Sequence, residues 1–142
     1  MKLNRNSILF VLTLVLFVAF TFSPATAGEK EGWLKFNPAL EKAAKEDKAI
    51  LVDFYTDWCH WCKVMDEKTF SEANVAQKLK DRFVAVKLNA EDASETVSYD
   101  NKTFTNPEFT RSFGVTGYPA LAFLDSKGKP INFPEKIDSK AS

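Results

Sequence analysis

Two cysteines, the only ones in a chain of 142 residues, stand three positions apart in Trp58-Cys59-His60-Trp61-Cys62-Lys63. Sulfur pairs at this spacing either cycle between dithiol and disulfide or supply half of a zinc site. Zinc needs two further ligands, and the chain offers no other cysteine and a single histidine, His60, inside the motif itself. Redox chemistry therefore fits best, and no metal is expected. A non-catalytic C-x-x-C module that clamps a metal or a protein is the alternative. A purely structural bridge explains little, because closing so short a loop hardly constrains the unfolded chain.

Such a pair works only where the fold activates it. Ile50-Leu51-Val52-Asp53-Phe54-Tyr55 reads as a strand covered on both faces, and it runs into helical sequence that starts at Cys59 and continues through Val64, Met65 and Glu67. A helix N-terminus presents unpaired N–H groups and a positive dipole end, which favour thiolate at its first cysteine. Asp53 is the anomaly, the one charge in an otherwise buried strand.

The helix is expected to break near Phe70 and to resume at Ser71-Glu72, with the serine as cap and Val75 and Leu79 facing the core. Phe83 to Asn89 is a second buried-type strand, and helical sequence between the two strands implies a parallel β-α-β crossover. Upstream, Gly28 to Gly32 reads as a polar leader, and Asn37-Pro38 as N-cap and first residue of a helix running from Ala39 to Lys45. Residues 90–105 are polar and aperiodic, the longest irregular stretch expected. Asn106-Pro107 again reads as N-cap plus N1, opening a short helix through Phe109 and Phe113 that Gly114 ends. After Val115-Thr116-Gly117-Tyr118-Pro119, the strand Ala120 to Leu124, a turn at Asp125 to Gly128 and a weaker strand near Ile131 to Phe133 make an antiparallel hairpin. The class is α/β.

The first residues bear on where this chemistry operates. Lys2 and Arg5 precede an apolar run from Ile8 to Phe22, then Pro24 and the small-residue site Ala25-Thr26-Ala27. That is the pattern of a secretory signal peptide over 1–27, leaving one domain at 28–142. The run is shorter than the ~20 residues that span a bilayer, so cleavage and export, to the periplasm or beyond, is the expectation and an uncleaved anchor the alternative. Without Lys2 and Arg5, the 19 basic residues fall to 17 against 19 acidic ones. No basic block suggests nucleic acid, so the expected partners are proteins and the expected state a monomer. Asn101-Lys102-Thr103 matches a glycosylation acceptor, a short pattern that carries little weight.

Val52 to Cys59, Val86-Lys87-Leu88-Asn89, Phe113 to Pro119 and the hairpin Gly128 occur in the order of one family, and over nearly all of 28–142 the chain resembles the thioredoxins. Within that family, Trp-Cys-x-x-Cys-Lys followed by Lys68-Thr69-Phe70-Ser71 is most similar to the exported branch that includes the C-terminal domain of the electron carrier DsbD. The resemblance implies a thioredoxin fold, a central mixed sheet flanked by helices. Too little apolar sequence remains after Phe133 for the usual C-terminal helix.

It further implies that Cys59 is an exposed nucleophile and Cys62 the resolving thiol, with a redox-active disulfide in place of any cofactor. Asp53 would be the buried acid that takes or relays the Cys62 proton, with Lys87 as its neighbour. Pro119 would be the cis-proline beside the dithiol, Tyr118 a specificity position and Trp58 a hydrophobic docking surface. His60 and Trp61 stand where reducing thioredoxins carry Gly-Pro, and they would tune the potential. The implied activity is a thiol:disulfide oxidoreductase of exported proteins, more a reductant or isomerase than a net oxidase, which needs a membrane electron donor.

Overall fold

Apolar strand runs separated by helical sequence set the chain order. The computed structural model describes residues 32–131, as β1 (Trp33–Leu34), α1 (Phe36–Glu46), β2 (Ala49–Tyr55), α2 (His60–Met65), a π-helical turn (Asp66–Phe70), α3 (Ala73–Arg82), β3 (Phe83–Asn89), β4 (Thr96–Tyr99), β5 (Lys102–Thr105), α4 (Asn106–Ser112) and β6 (Ala120–Leu124). The signal-peptide reading of 1–27 and the chain after Ile131 lie outside the described residues.

The central sheet has the order β1-β3-β2-β6. β3 pairs parallel with β1 and β2, as the β-α-β reading requires, while β6 runs antiparallel to β2, so the sheet is mixed. Beyond β6, Asp125 Oδ1 accepts from the N–H groups of Lys127 and Lys129, both at 2.9 Å, and the chain returns through a bridge between Leu124 and Pro130. Gly128 permits this turn: its φ is +82°, and a Cβ there would sit 2.8 Å from Leu40 Cδ1.

Strand alternation divides the sheet into two faces with different work. Ile50, Val52 and Phe54 of β2 join Val84, Val86 and Leu88 of β3 on one face, where α1 and α4 close the larger core. Its centre is Phe109 of α4, fully buried, with its ring 4.7 Å from Phe36 and 4.9 Å from Phe113. On the other face Leu51 and Ala85 pack with Trp33, Phe70, Val75 and Leu79, beneath the helical segment that follows the dithiol. Asp53 and Lys87 share that second face by the same alternation.

Several local boundaries differ from the sequence reading. Helix α1 starts at Phe36 with Lys35 as N-cap, because the Asn37 side chain accepts a tertiary hydrogen bond from Ser98 N–H at 3.0 Å rather than capping. The segment after α2 widens into a π turn, with Ser71 N–H reaching Asp66 C=O at 3.1 Å, and α3 begins after Glu72. Ser71 donates its hydroxyl to Glu67 C=O and caps nothing. The stretch 90–105 contains the hairpin β4–β5, turning at Asp100 and Asn101, both left-handed, with Val97 buried in the core. The cap of α4 is Thr105, whose N–H and hydroxyl both donate to the Glu108 carboxylate, at 2.8 and 2.9 Å. Asn106 is the first helical residue instead, buried, donating to Asn89 C=O at 3.1 Å.

Truncating Phe109 to Ala removes the ring on which this aromatic cluster converges. The expected loss is about 3–5 kcal/mol of folding stability, read as a lowered urea midpoint with an unchanged slope.

Candidate active site

The turn Thr56-Asp57-Trp58-Cys59, closed by Cys59 N–H to Thr56 C=O at 3.1 Å, delivers the dithiol from the end of β2 to the start of α2. Cys59 is the N-cap of α2, and its Sγ accepts from Cys62 N–H at 3.1 Å. The two sulfurs form a disulfide, with Cα atoms 5.3 Å apart. Cys59 is only 4 % exposed, against 2 % for Cys62. The exposed first cysteine expected from the sequence is therefore not found in this oxidised state, where Cys59 is covered and its sulfur is bonded to Cys62. What separates the two cysteines is the N-cap position, which directs a backbone donor at Cys59 alone.

Asp53 has no exposed surface, as expected of the one charge in a buried strand. The parallel ladder sets it opposite Lys87. Lys87 Nζ lies 2.6 Å from Asp53 Oδ2 and 2.7 Å from Asp66 Oδ1, and within 5.1 to 5.9 Å of the ring centroids of Tyr55, Trp33 and Phe70. Burial works against the ammonium, yet the hydrogen bonds and charges of Asp53 and Asp66 outweigh it and hold Lys87 above its ordinary pKa. Asp66 is a member of the site that the sequence reading missed. Its signal was available: Asp66 follows Cys62 by four residues and so shares its helix face.

Around the disulfide the surface is aromatic. Trp58 and Trp61 are 68 % and 67 % exposed, so Trp58 is no core residue. The Trp58 ring meets that of Tyr118 edge-on at 6.1 Å, which places the Tyr118–Pro119 segment beside the residue preceding Cys59. The Tyr118–Pro119 peptide bond is cis. His60 is exposed and packs edge-on against Trp61 at 5.5 Å. Glu91, from the stretch without periodicity, accepts a hydrogen bond from the Trp58 indole at 2.9 Å; no sequence pattern pointed to it.

Comparison with known proteins places this geometry. Residues 24–137 match the family Thioredox_DsbH, described as "Protein of unknown function, DUF255". The chain belongs to that family and has the thioredoxin fold. A solved structure described as DsbH Oxidoreductase superposes with a TM-score of 0.56 at 22 % identity, over 80 % of this chain and 78 % of that one. The disulphide isomerase from Xylella fastidiosa Temecula1 gives 0.54 at 20 % identity, over 79 % of each chain. The thiol:disulfide interchange protein DsbD of Actinobacillus pleuropneumoniae serotype 5b (strain L20) is 32 % identical over 88 residues, which is 62 % of this chain and 13 % of that protein. The chain thus spans a small part of this curated relative's length. Among the described residues, no helix is long and apolar enough to cross a membrane.

Replacing Lys87 by Met leaves two carboxylates without their cation, Asp53 among them fully buried, and should cost about 3 kcal/mol of stability at neutral pH. Because the folded-state pKa of Lys87 is raised above its usual 10.5, its contribution is complete below that value and is lost as pH rises through the folded one. Urea midpoints of wild type and Lys87→Met should stay apart between about pH 7 and pH 9 and converge in more alkaline buffer.

Proposed function

We propose that the protein is an exported thiol:disulfide oxidoreductase that reduces or isomerises disulfides of other exported proteins. The observation that carries this reading is the Cys59–Cys62 disulfide at the N-cap of α2, with Cys59 Sγ on the Cys62 N–H. A donor aimed at that sulfur favours its thiolate once the bond is reduced, and thiolate is the attacking species in exchange. The DsbD relative, whose name is thiol:disulfide interchange protein, supports the same chemistry. Export rests on the basic, apolar and small-residue pattern of residues 1–27.

In the reducing direction, Cys59 thiolate attacks one sulfur of the partner disulfide, that S–S bond breaks, and the partner's other sulfur leaves as thiolate and is protonated. Cys62 then loses its proton to Asp53 and attacks Cys59 Sγ; the mixed disulfide breaks, the partner's second sulfur leaves as thiolate and is protonated in turn, and Asp53 gives up the proton it had taken. Two electrons pass to the partner, and the Cys59–Cys62 bond reforms. Lys87 compensates the Asp53 charge between turnovers, and His60 and Trp61, between the cysteines, tune the couple. Trp58, Tyr118 and Pro119 receive the partner chain. An exported compartment holds no reducing thiol buffer, so a membrane donor must return the electrons.

The test is the reduction potential of the couple, equilibrated against dithiothreitol or glutathione. A value near the ~−270 mV of thioredoxin is expected, whereas one near ~−120 mV would sink the reductant reading and make the protein an oxidase. With no reversible couple at all, the C-x-x-C pair becomes a binding module. Two variants separate the cysteines: Cys62→Ser should accumulate a mixed disulfide with a protein substrate, and Cys59→Ser should form none. Asp53→Asn should slow release of the partner by about a hundredfold at pH 7, measured by stopped-flow.

A further inference from the structure

Trp58 is two-thirds exposed and yet its orientation is specified from several sides. Its indole N–H donates to Glu91 Oε2 at 2.9 Å, and its ring stands edge-on to Tyr118 with an interplanar angle of 78°. Glu91 is itself set by a short chain of bonds. Its backbone N–H donates to Asn89 Oδ1 at 3.1 Å, the Asn89 amide donates to Asp57 Oδ2 at 3.2 Å, and Ala90 N–H donates to Tyr55 C=O at 2.8 Å. The loop after β3 is thereby stitched to the segment that delivers Cys59.

The fold has little need of the Trp58–Glu91 bond. Both groups lie at the surface, where water can satisfy either one, so the net stabilisation is small. Its physical consequence is orientation. A surface tryptophan free to change rotamer must be ordered when a partner docks, and that ordering opposes association; one already held in place spares the cost.

We propose that Glu91 is a positioning residue for partner docking: it holds the Trp58 indole against Tyr118 so that the polypeptide flanking a partner's disulfide meets a preformed aromatic wall beside Cys59. The proposal deepens the exchange reading above and rests on it. It separates docking from sulfur chemistry, because Glu91 touches neither sulfur. A large disulfide substrate that spans the wall should feel its loss, and a small neutral disulfide that reaches only the sulfurs should not.

The experiment reads the rate of oxidation of the pre-reduced protein by insulin, a polypeptide disulfide, and by 2-hydroxyethyl disulfide, a small uncharged one. Glu91→Ala is expected to slow the insulin reaction about threefold to tenfold and to leave the small disulfide unaffected. Glu91→Gln, whose amide oxygen still accepts from the indole, should recover most of the insulin rate. In a Trp58→Phe background, which lacks the N–H, adding Glu91→Ala should change nothing further. The indole N–H resonance of Trp58 should shift in Glu91→Ala and stay in place in Glu91→Gln. Equal slowing with both disulfides, an unchanged insulin rate, an effect that persists without the Trp58 N–H, or an unmoved resonance would each overturn the proposal. A wild-type protein that reacts with neither disulfide would overturn the exchange reading itself, and this inference with it.

Discussion

A carboxylate without access to water is tolerated in the middle of a sheet only if a cation reaches it, and Asp53 meets that condition through Lys87. The requirement organises much of the molecule. It holds the parallel register of β2 and β3, because a slip of one residue would move Lys87 to the opposite face. It also draws in the segment after the dithiol, since the same ammonium binds Asp66 at the start of the π turn. Trp33 of β1, Tyr55 of β2 and Phe70 of the π turn set their rings within 5.9 Å of the charge. One lysine thus joins β1, β2, β3 and the dithiol's own helical segment.

The two faces of the sheet divide the physical tasks. The face under α1 and α4 is a continuous aromatic and aliphatic core, and it supplies the burial that holds the strands in place. The opposite face carries the ion cluster, a smaller core and the helix that begins at Cys59. Charge can be placed on the second face because the first already stabilises the strand pairing. The dithiol lies at the end of β2, where the chain leaves the sheet, and loops from β3 and from the segment before β6 meet it there. The N-cap directs a backbone donor at Cys59 Sγ, the buried acid lies on the second face of the same strand, and Trp58 and Trp61 leave exposed aromatic surface around the disulfide.

Much of this was legible because it depends on local order. The two apolar strands, the helix between them and the pairing of β2 with β3 follow from periodicity and from the crossover that parallel strands require. The caps were misplaced where tertiary partners took over the side chains. Asn37 turned to Ser98, Asn106 to Asn89 and Ser71 to Glu67, so none of them closes the helix end it precedes. The hairpin within 90–105 was hidden because its strands are short and polar, with a single buried anchor in Val97 and a turn made by left-handed Asp100 and Asn101 rather than by glycine. Within the site, Cys59, Cys62 and Asp53 could be named from type and order, and Lys87 through the family resemblance. Asp66 could be suspected only from its place four residues after Cys62, and Glu91 could not be chosen from the many acidic residues of the chain, because its partner Trp58 lies 33 positions away.

By itself, then, the sequence determined that a lone cysteine pair heads a helix at the end of a buried strand, and that this strand carries one charge that burial makes costly. Both are properties of neighbours along the chain, which spacing and hydrophobic period express directly. Only the tertiary structure decided that the cation answering that charge is shared with Asp66, that Cys59 is covered in the oxidised state, and that the exposed indole beside it is held by a glutamate from another loop. Those outcomes depend on strand register and on where loops converge in space. Contacts between distant segments are set by packing of the whole chain, and no local pattern encodes them.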